Sequence, residues 1–154
     1  MDTTKIQATL TKGFAATNAL VIAHGVERIT RAYHKYEEYL ANTPRGERCN
    51  STMMDICGGK GDFLEMRMCG LEAMKAREVK ILEKNIASRD ARIIKKLADK
   101  GIYEIPEFEA LADTDNGFTG YFEVGQYTVN IRIIVAGGYN IQRAHNRILV
   151  DISG

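Results

Sequence analysis

Between Phe63 and Lys100 the chain contains no proline and one glycine, Gly70, and its apolar residues form a stripe of Leu71, Met74, Val79, Leu82, Ile86, Ile93 and Leu97. Steps of three, four, five and seven predict a long helix, because residues three and four apart share a face at 3.6 residues per turn. Glu72, Lys75, Glu78, Lys84, Arg89, Asp90 and Lys96 fall off that stripe and are expected on the solvent side. Gly70 kinks or divides the element near its start. A helix of ~37 residues would be ~55 Å long, more than a domain of this chain's length covers. Part of its stripe is therefore expected to pack on a second copy, giving a homo-oligomer through the long helix 63–100.

The 154 residues fit a single domain, 1–154, that folds without disulfides or a metal. With 21 basic and 20 acidic side chains the net charge is +1, which disfavours a protein that grips nucleic acid through bulk charge. Any basic site must be local. Cys49, Cys57 and Cys69 lack metal-ligand spacing and read as free thiols. No zinc site, metal or cofactor is expected, and Met66, Met68 and Met74 read as core filler. The start, Met1-Asp2-Thr3-Thr4-Lys5-Ile6, has no apolar signal run, and no segment reaches the ~18 apolar residues of a membrane span. The expected location is cytoplasmic.

Residues 4–11 alternate, with Ile6, Ala8 and Leu10 on one side, and predict a half-buried strand. Ala19-Leu20-Val21-Ile22-Ala23 suits a buried strand ending at Gly25, or the first turns of a helix; the strand is preferred. Val26, Ile29, Tyr33, Tyr36 and Leu40 then predict a helix closed by Asn42-Thr43-Pro44, with Arg28, Arg31 and Lys35 as a basic stripe on its other side. That stripe is a solvated face or an aid to anion binding. Residues 43–62 read as a connector. Its Cys57-Gly58-Gly59-Lys60-Gly61-Asp62 lacks the Gly-Lys-Ser/Thr ending of a phosphate loop. Gly101 ends the long helix, and Pro106 sits in an extended link. Asp113-Thr114-Asp115-Asn116-Gly117 fails as a calcium loop, because its fifth position is Gly117 and its twelfth is Val124.

Three strands follow, at about 118–124, 127–136 and 141–152, joined at Gly125-Gln126 and Gly137-Gly138. The predicted class is α+β: a mainly antiparallel sheet of about five strands, with one medium and one long helix packed on one face. With Gly137-Gly138 at the turn, Arg132 stands across from Arg143 and Asn130 from His145. One face is a core face, with Val129, Ile131, Ile133, Val135, Ala144, Ile148, Val150 and Ile152, and Asn140, Gln142 and Asn146 near its ends or edges. The other holds Asn130, Arg132, Ile134, Tyr139, Ile141, Arg143, His145 and Arg147. Guanidiniums, an imidazole, an amide and an aromatic ring are the groups that bind phosphates, riboses and bases. The plain alternative is a solvated sheet face with Glu123 as a salt-bridge partner. The candidate ligand-binding residues are thus Arg132, Arg143, His145, Arg147, Tyr139 and Asn130, with Arg28 and Arg31 in support. No catalytic residue is assigned, because no nucleophile or carboxylate stands at a telling spacing from His145.

The run Ala136-Gly137-Gly138-Tyr139-Asn140-Ile141-Gln142 with His145 and Arg147, together with Val26-Glu27-Arg28-Ile29-Thr30-Arg31-Ala32-Tyr33, resembles small bacteriophage proteins of anti-defence role. The family it is most similar to is the phage Thoeris anti-defence sponges, which sequester cyclic ADP-ribose-type signals and, in some members, cyclic oligonucleotides. The resemblance covers about a quarter of the chain and transfers no ligand residues. It implies an oligomer in the host cytoplasm that binds a small nucleotide ligand without cleaving it, countering immune signalling. Three other readings compete. One is an RNA or single-strand nucleic-acid-binding domain stacking bases on Tyr139, Tyr121 and Phe118. Another is an inhibitor whose long helix docks on a host protein, and the last an enzyme pairing His145 with His24.

Overall fold

The computed structural model describes residues 2–109, 118–134 and 147–153. Its elements are α1 (Thr4–Gly13), α2 (Ala15–Asn42), a 3-10 turn (Arg45–Glu47), α3 (Asn50–Cys57), α4 (Lys60–Met66), α5 (Leu71–Asp99), β1 (Phe118–Val124), β2 (Tyr127–Ile134) and β3 (Arg147–Ser153). The protein is predominantly helical with a three-stranded antiparallel sheet, β1-β2-β3, which overturns the expected α+β fold on a sheet of about five strands.

Both N-terminal strands are helix instead. Ile6 and Leu10 satisfy a two-residue and a four-residue repeat alike, and the residue that separates the two is Ala8, which a strand would bury beside them and which is exposed. The buried series is Ile6, Leu10, Phe14, Thr17 and Val21, at helical steps of four, four, three and four. Gly25 continues it. Far from ending an element, this glycine lies inside α2, where a Cβ would run into the Leu82 side chain and approach Glu78. The missing side chain lets α2 and α5 close on each other, which compensates the helix propensity glycine forfeits. Ile29, Ala32 and Tyr36 carry the buried face onward to the end of α2 at Asn42, as expected.

The predicted helix 63–100 is divided at Gly70 into α4 and a 29-residue α5, about 44 Å long. α5 closes on Gly101, whose φ of +74° allows Gly101 N–H to donate to the Ala98 carbonyl and Ile102 N–H to the Leu97 carbonyl, both at 2.9 Å. The buried positions of α5 are Met74, Glu78, Leu82, Arg89, Asp90, Ile93 and Leu97, so Glu78, Arg89 and Asp90 belong to the inner face and not to the solvent side. Leu82, Ile93 and Leu97 are covered within the chain by Ile6, Leu10, Phe14 and Val21 of the N-terminal helices and by Ile102 and Ile105. The connector 43–62 holds α3 and the start of α4. Both pack on α2 in a second cluster of Ile29, Tyr36, Met53, Cys57, Phe63, Met66 and Met74. Of the three methionines expected as core filler, Met66 and Met74 are buried, whereas Met68 is exposed.

Arg89 is 1% exposed. Its Nε donates to Asp90 Oδ1 at 2.9 Å and its Nη1 to Asn18 Oδ1 at 2.7 Å, while the guanidinium lies 4.4 Å from the centre of the Phe14 ring. Gln7 Nε2 donates to the other Asp90 oxygen at 3.0 Å. Burial pulls the Arg89 pKa below the ordinary guanidinium value, and the Asp90 charge opposes that shift.

In the sheet, β1 falls at the predicted residues, and Gly125, at φ +60°, takes the first position of the two-residue turn, where glycine is favoured. β2 and β3 pair in a different register from the one expected: Asn130 stands opposite Asp151 instead of His145, and Arg132 opposite Leu149 instead of Arg143. Tyr127 and Ile152 join the sheet to the helical core that includes Ile102 and Ile105. No helix among the described residues is long and apolar enough to cross a membrane.

Gly25→Val is expected to destabilise the fold by about 1–3 kcal/mol through overpacking against Leu82. A lower urea midpoint at unchanged slope would show it; an unchanged midpoint would mean that α5 yields freely at this crossing.

Candidate functional site

The described structure separates the sequence-predicted site into three groups. Tyr139, Arg143 and His145, with the Gly137-Gly138 turn, lie outside the described residues. Asn130, Arg132 and Arg147 lie on described strands. Arg28 and Arg31 sit on α2.

Pairing fixes the strand residues relative to one another. Asn130 stands opposite Asp151 and Ile134 opposite Arg147, and residues along a strand alternate sides, so Asn130, Arg132 and Ile134 share a side with Arg147, Leu149 and Asp151. β1 adds Thr119, Tyr121 and Glu123 to that side. Asn130, Glu123 and Asp151 are exposed. This face is mixed in sign, with two carboxylates and two guanidiniums at its register positions. The Tyr127 and Ile152 positions belong to the other face, which packs on the helices. Parity thus survives the change of register, because partners slipped by an even number of residues.

Arg28 and Arg31 do not act together. Arg31 is exposed and lies 4.0 Å from Glu27 one helical turn back. Arg28 points inward. Its Nη1 is 3.6 Å from Asp62 Oδ2 and its Nη2 is 3.2 Å from Glu78 Oε1, the latter an ion pair without an aligned hydrogen bond. Arg77 Nη1 donates to the other Asp62 oxygen at 3.1 Å. The Asp62 and Glu78 side chains are 6% and 2% exposed, and this set of two cations and two anions ties α2, α4 and α5 together. Gly58, at φ +94°, leaves room beside Arg28 and Asp62 where a side chain would crowd Nη1. An anion could reach Arg28 only by displacing buried carboxylates. The basic stripe read from the sequence is therefore one structural cation and one solvated one.

Sequence reasoning passed over Cys49. It stands at the N-cap position of α3 without a side-chain capping bond; the Ser51 hydroxyl lies 3.2 Å from Sγ, and hydrogen-bonding groups of Ser51 and Thr52 neighbour the sulfur. Led by the Ser51 hydroxyl, these donors stabilise the thiolate and bring its pKa down to about 7. Cys57, at the other end of the same helix, is buried, and desolvation with help from Asp62 pushes it up to about 12. The signal for Cys49 was present in Cys49-Asn50-Ser51-Thr52, a polar run of helix-start residues, but it is legible only once α3 is recognised. Among the described residues no group of three or more His, Cys, Asp or Glu side chains is arranged to hold a metal.

Comparisons with protein families, with curated proteins and with solved structures return no match to this chain.

Arg28→Ala is expected to cost about 3 kcal/mol or more, since it strands buried carboxylates, whereas Arg31→Ala stays within about 0.5 kcal/mol. Equal midpoints for the two variants in chemical denaturation would remove the structural assignment of Arg28. Alkylation of native protein, followed by peptide mass, should modify Cys49 with a rate that rises through a midpoint near pH 7. Ser51→Ala should move that midpoint upward, while Cys57 stays protected until unfolding.

Proposed function

We propose that the protein is a non-enzymatic binder that sequesters a small phosphorylated nucleotide signal, of the cyclic ADP-ribose or cyclic-oligonucleotide class, and thereby counters immune signalling in a host cytoplasm. The ligand-binding groups in this reading are Asn130, Arg132 and Arg147 on the strands, with Tyr139, Arg143 and His145 from the segment that joins β2 to β3. The protein acts as a homo-oligomer.

The observation that supports the reading is the shared side of Asn130, Arg132 and Arg147. The half-buried Arg28 and the buried Arg89 are engaged by carboxylates. The sheet face, by contrast, has an exposed amide at Asn130 and turns away from the core that Tyr127 and Ile152 enter. Guanidiniums about two strand positions apart suit the oxygens of a phosphate or diphosphate, and each charge-assisted hydrogen bond contributes roughly 1.5–3 kcal/mol. Two such bonds and one stacked base come near the ~8 kcal/mol of micromolar binding. Asp151 and Glu123 on the same side favour a ligand that also carries hydroxyl donors, as a ribose does, over a bare polyanion.

Calorimetric titration with a panel of cyclic nucleotides and ADP-ribose derivatives should find at least one ligand at micromolar affinity or better. Arg132→Ala and Arg147→Ala should each weaken it by about 10- to 150-fold, and the ligand should be recovered intact from the complex. A silent panel, or binding unchanged in the double variant, would refute the assignment. Affinity that grows with strand length and falls steeply with salt would instead identify a single-strand nucleic-acid binder.

A further inference from the structure

α1 and α2 would be one helix but for Phe14. Helical hydrogen bonds reach this residue from both sides: Phe14 N–H donates to the Leu10 carbonyl at 2.9 Å, and Asn18 N–H donates to the Phe14 carbonyl at 2.8 Å. Phe14 alone departs from helix, at φ −98° and ψ 9°. The departure redirects the chain. Seven residues separate Asn18 from Gly25, and seven separate their neighbours Arg89 and Leu82, so α2 and α5 run antiparallel in step. Carried on straight, the helix would bring Gln7 opposite Lys100. Gln7 instead donates to Asp90, ten residues or about 15 Å short of that point.

The bend docks α1 firmly. Ile6 and Leu10 are buried against Ile93 and Leu97, and Lys5 Nζ lies 2.8 Å from Glu104 Oε1. Phe108 holds the corner, edge-on to Phe14 with centroids 4.9 Å apart and its ring over Gly13, where a Cβ would collide with it. A straightened α1 cannot reach its own Asp90, and it exposes Ile6 and Leu10. A second copy opened in the same way offers the matching surface.

We propose that two copies of this chain exchange α1, each straightening at Phe14 and laying Ile6, Gln7 and Leu10 on the partner subunit's α5. The contacts of Lys5, Ile6, Gln7 and Leu10 are the same in both forms, and what differs is the corner at Gly13, Phe14 and Phe108. The hinge is the single residue Phe14, so straightening it joins α1 and α2 into one continuous helix. Opening restores regular helix at Phe14. Gln7–Asp90 and Lys5–Glu104 set the position of the exchanged helix, because a shift along α5 would bury the Asp90 carboxylate without that donor.

Isotopically light and heavy chains refolded together at high concentration, separated by size and cross-linked with a zero-length carbodiimide test the exchange on the unaltered protein. In the dimer fraction about half of the joined Lys5–Glu104 peptides should pair one light and one heavy chain, as random exchange requires. Gly13→Ala, which drives a methyl into Phe108 only in the bent form, should raise the dimer fraction several-fold. Lys5–Glu104 pairs exclusively of a single isotope in the dimer, or a chain that stays monomeric at high concentration, would overturn the proposal, and the wild-type result decides if Gly13→Ala fails to fold.

Discussion

Most of this structure depends on the close crossing of α2 and α5 at Gly25. Without a Cβ there, the two helices approach until Leu82 and Glu78 fill the space over the glycine. That contact sets the antiparallel step of the pair and so decides what lies on either side of it. Toward the N-terminus of α2 the crossing aligns Asn18 with Arg89 and leaves Phe14 under the guanidinium. Toward its C-terminus the same alignment brings Arg28 to Glu78 and, through α4, to Asp62. An apolar cluster then closes each end.

The two inward-pointing arginines show why charge in the sequence is a poor guide to surface in the fold. Taking a guanidinium out of water is costly unless a carboxylate and further acceptors replace the water. Arg89 finds Asp90 and Asn18; Arg28 finds Asp62 and Glu78. These groups specify which helices meet, since a misplaced partner would leave a buried charge unmatched. They are consequently withdrawn from ligand chemistry.

Long, strongly periodic segments were legible in the sequence. The helix ending at Asn42, the stop at Gly101, the β1–β2 hairpin and the division at Gly70 all follow from local rules, namely helical spacing, a glycine in the left-handed region and a two-residue turn. The misreadings share one cause. Ile6 and Leu10 fit either period, and Gly25 reads as a stop until a neighbouring helix occupies the space it leaves. Glu78, Arg89 and Asp90 read as solvent-facing in the sequence because their inward partners come from α1 and α2, distant in sequence. The candidate site was legible in its parity and not in its pairs: alternation keeps Asn130, Arg132 and Arg147 on one side in any register that slips by an even number, whereas the residue opposite each changes with every slip.

By itself, then, the sequence determined what depends on near neighbours: where α2 and α5 end, where the first hairpin turns, and which strand residues share a face. Only the tertiary structure decided which glycine is a crossing, which arginines are internal struts, how far β3 slides along β2, and that α1 turns at Phe14 to reach Asp90. The physical reason is that spacing fixes the direction of a residue within its element. Whether that direction leads to water or to another helix is set by partners tens of residues away, whose packing and charge no local window contains.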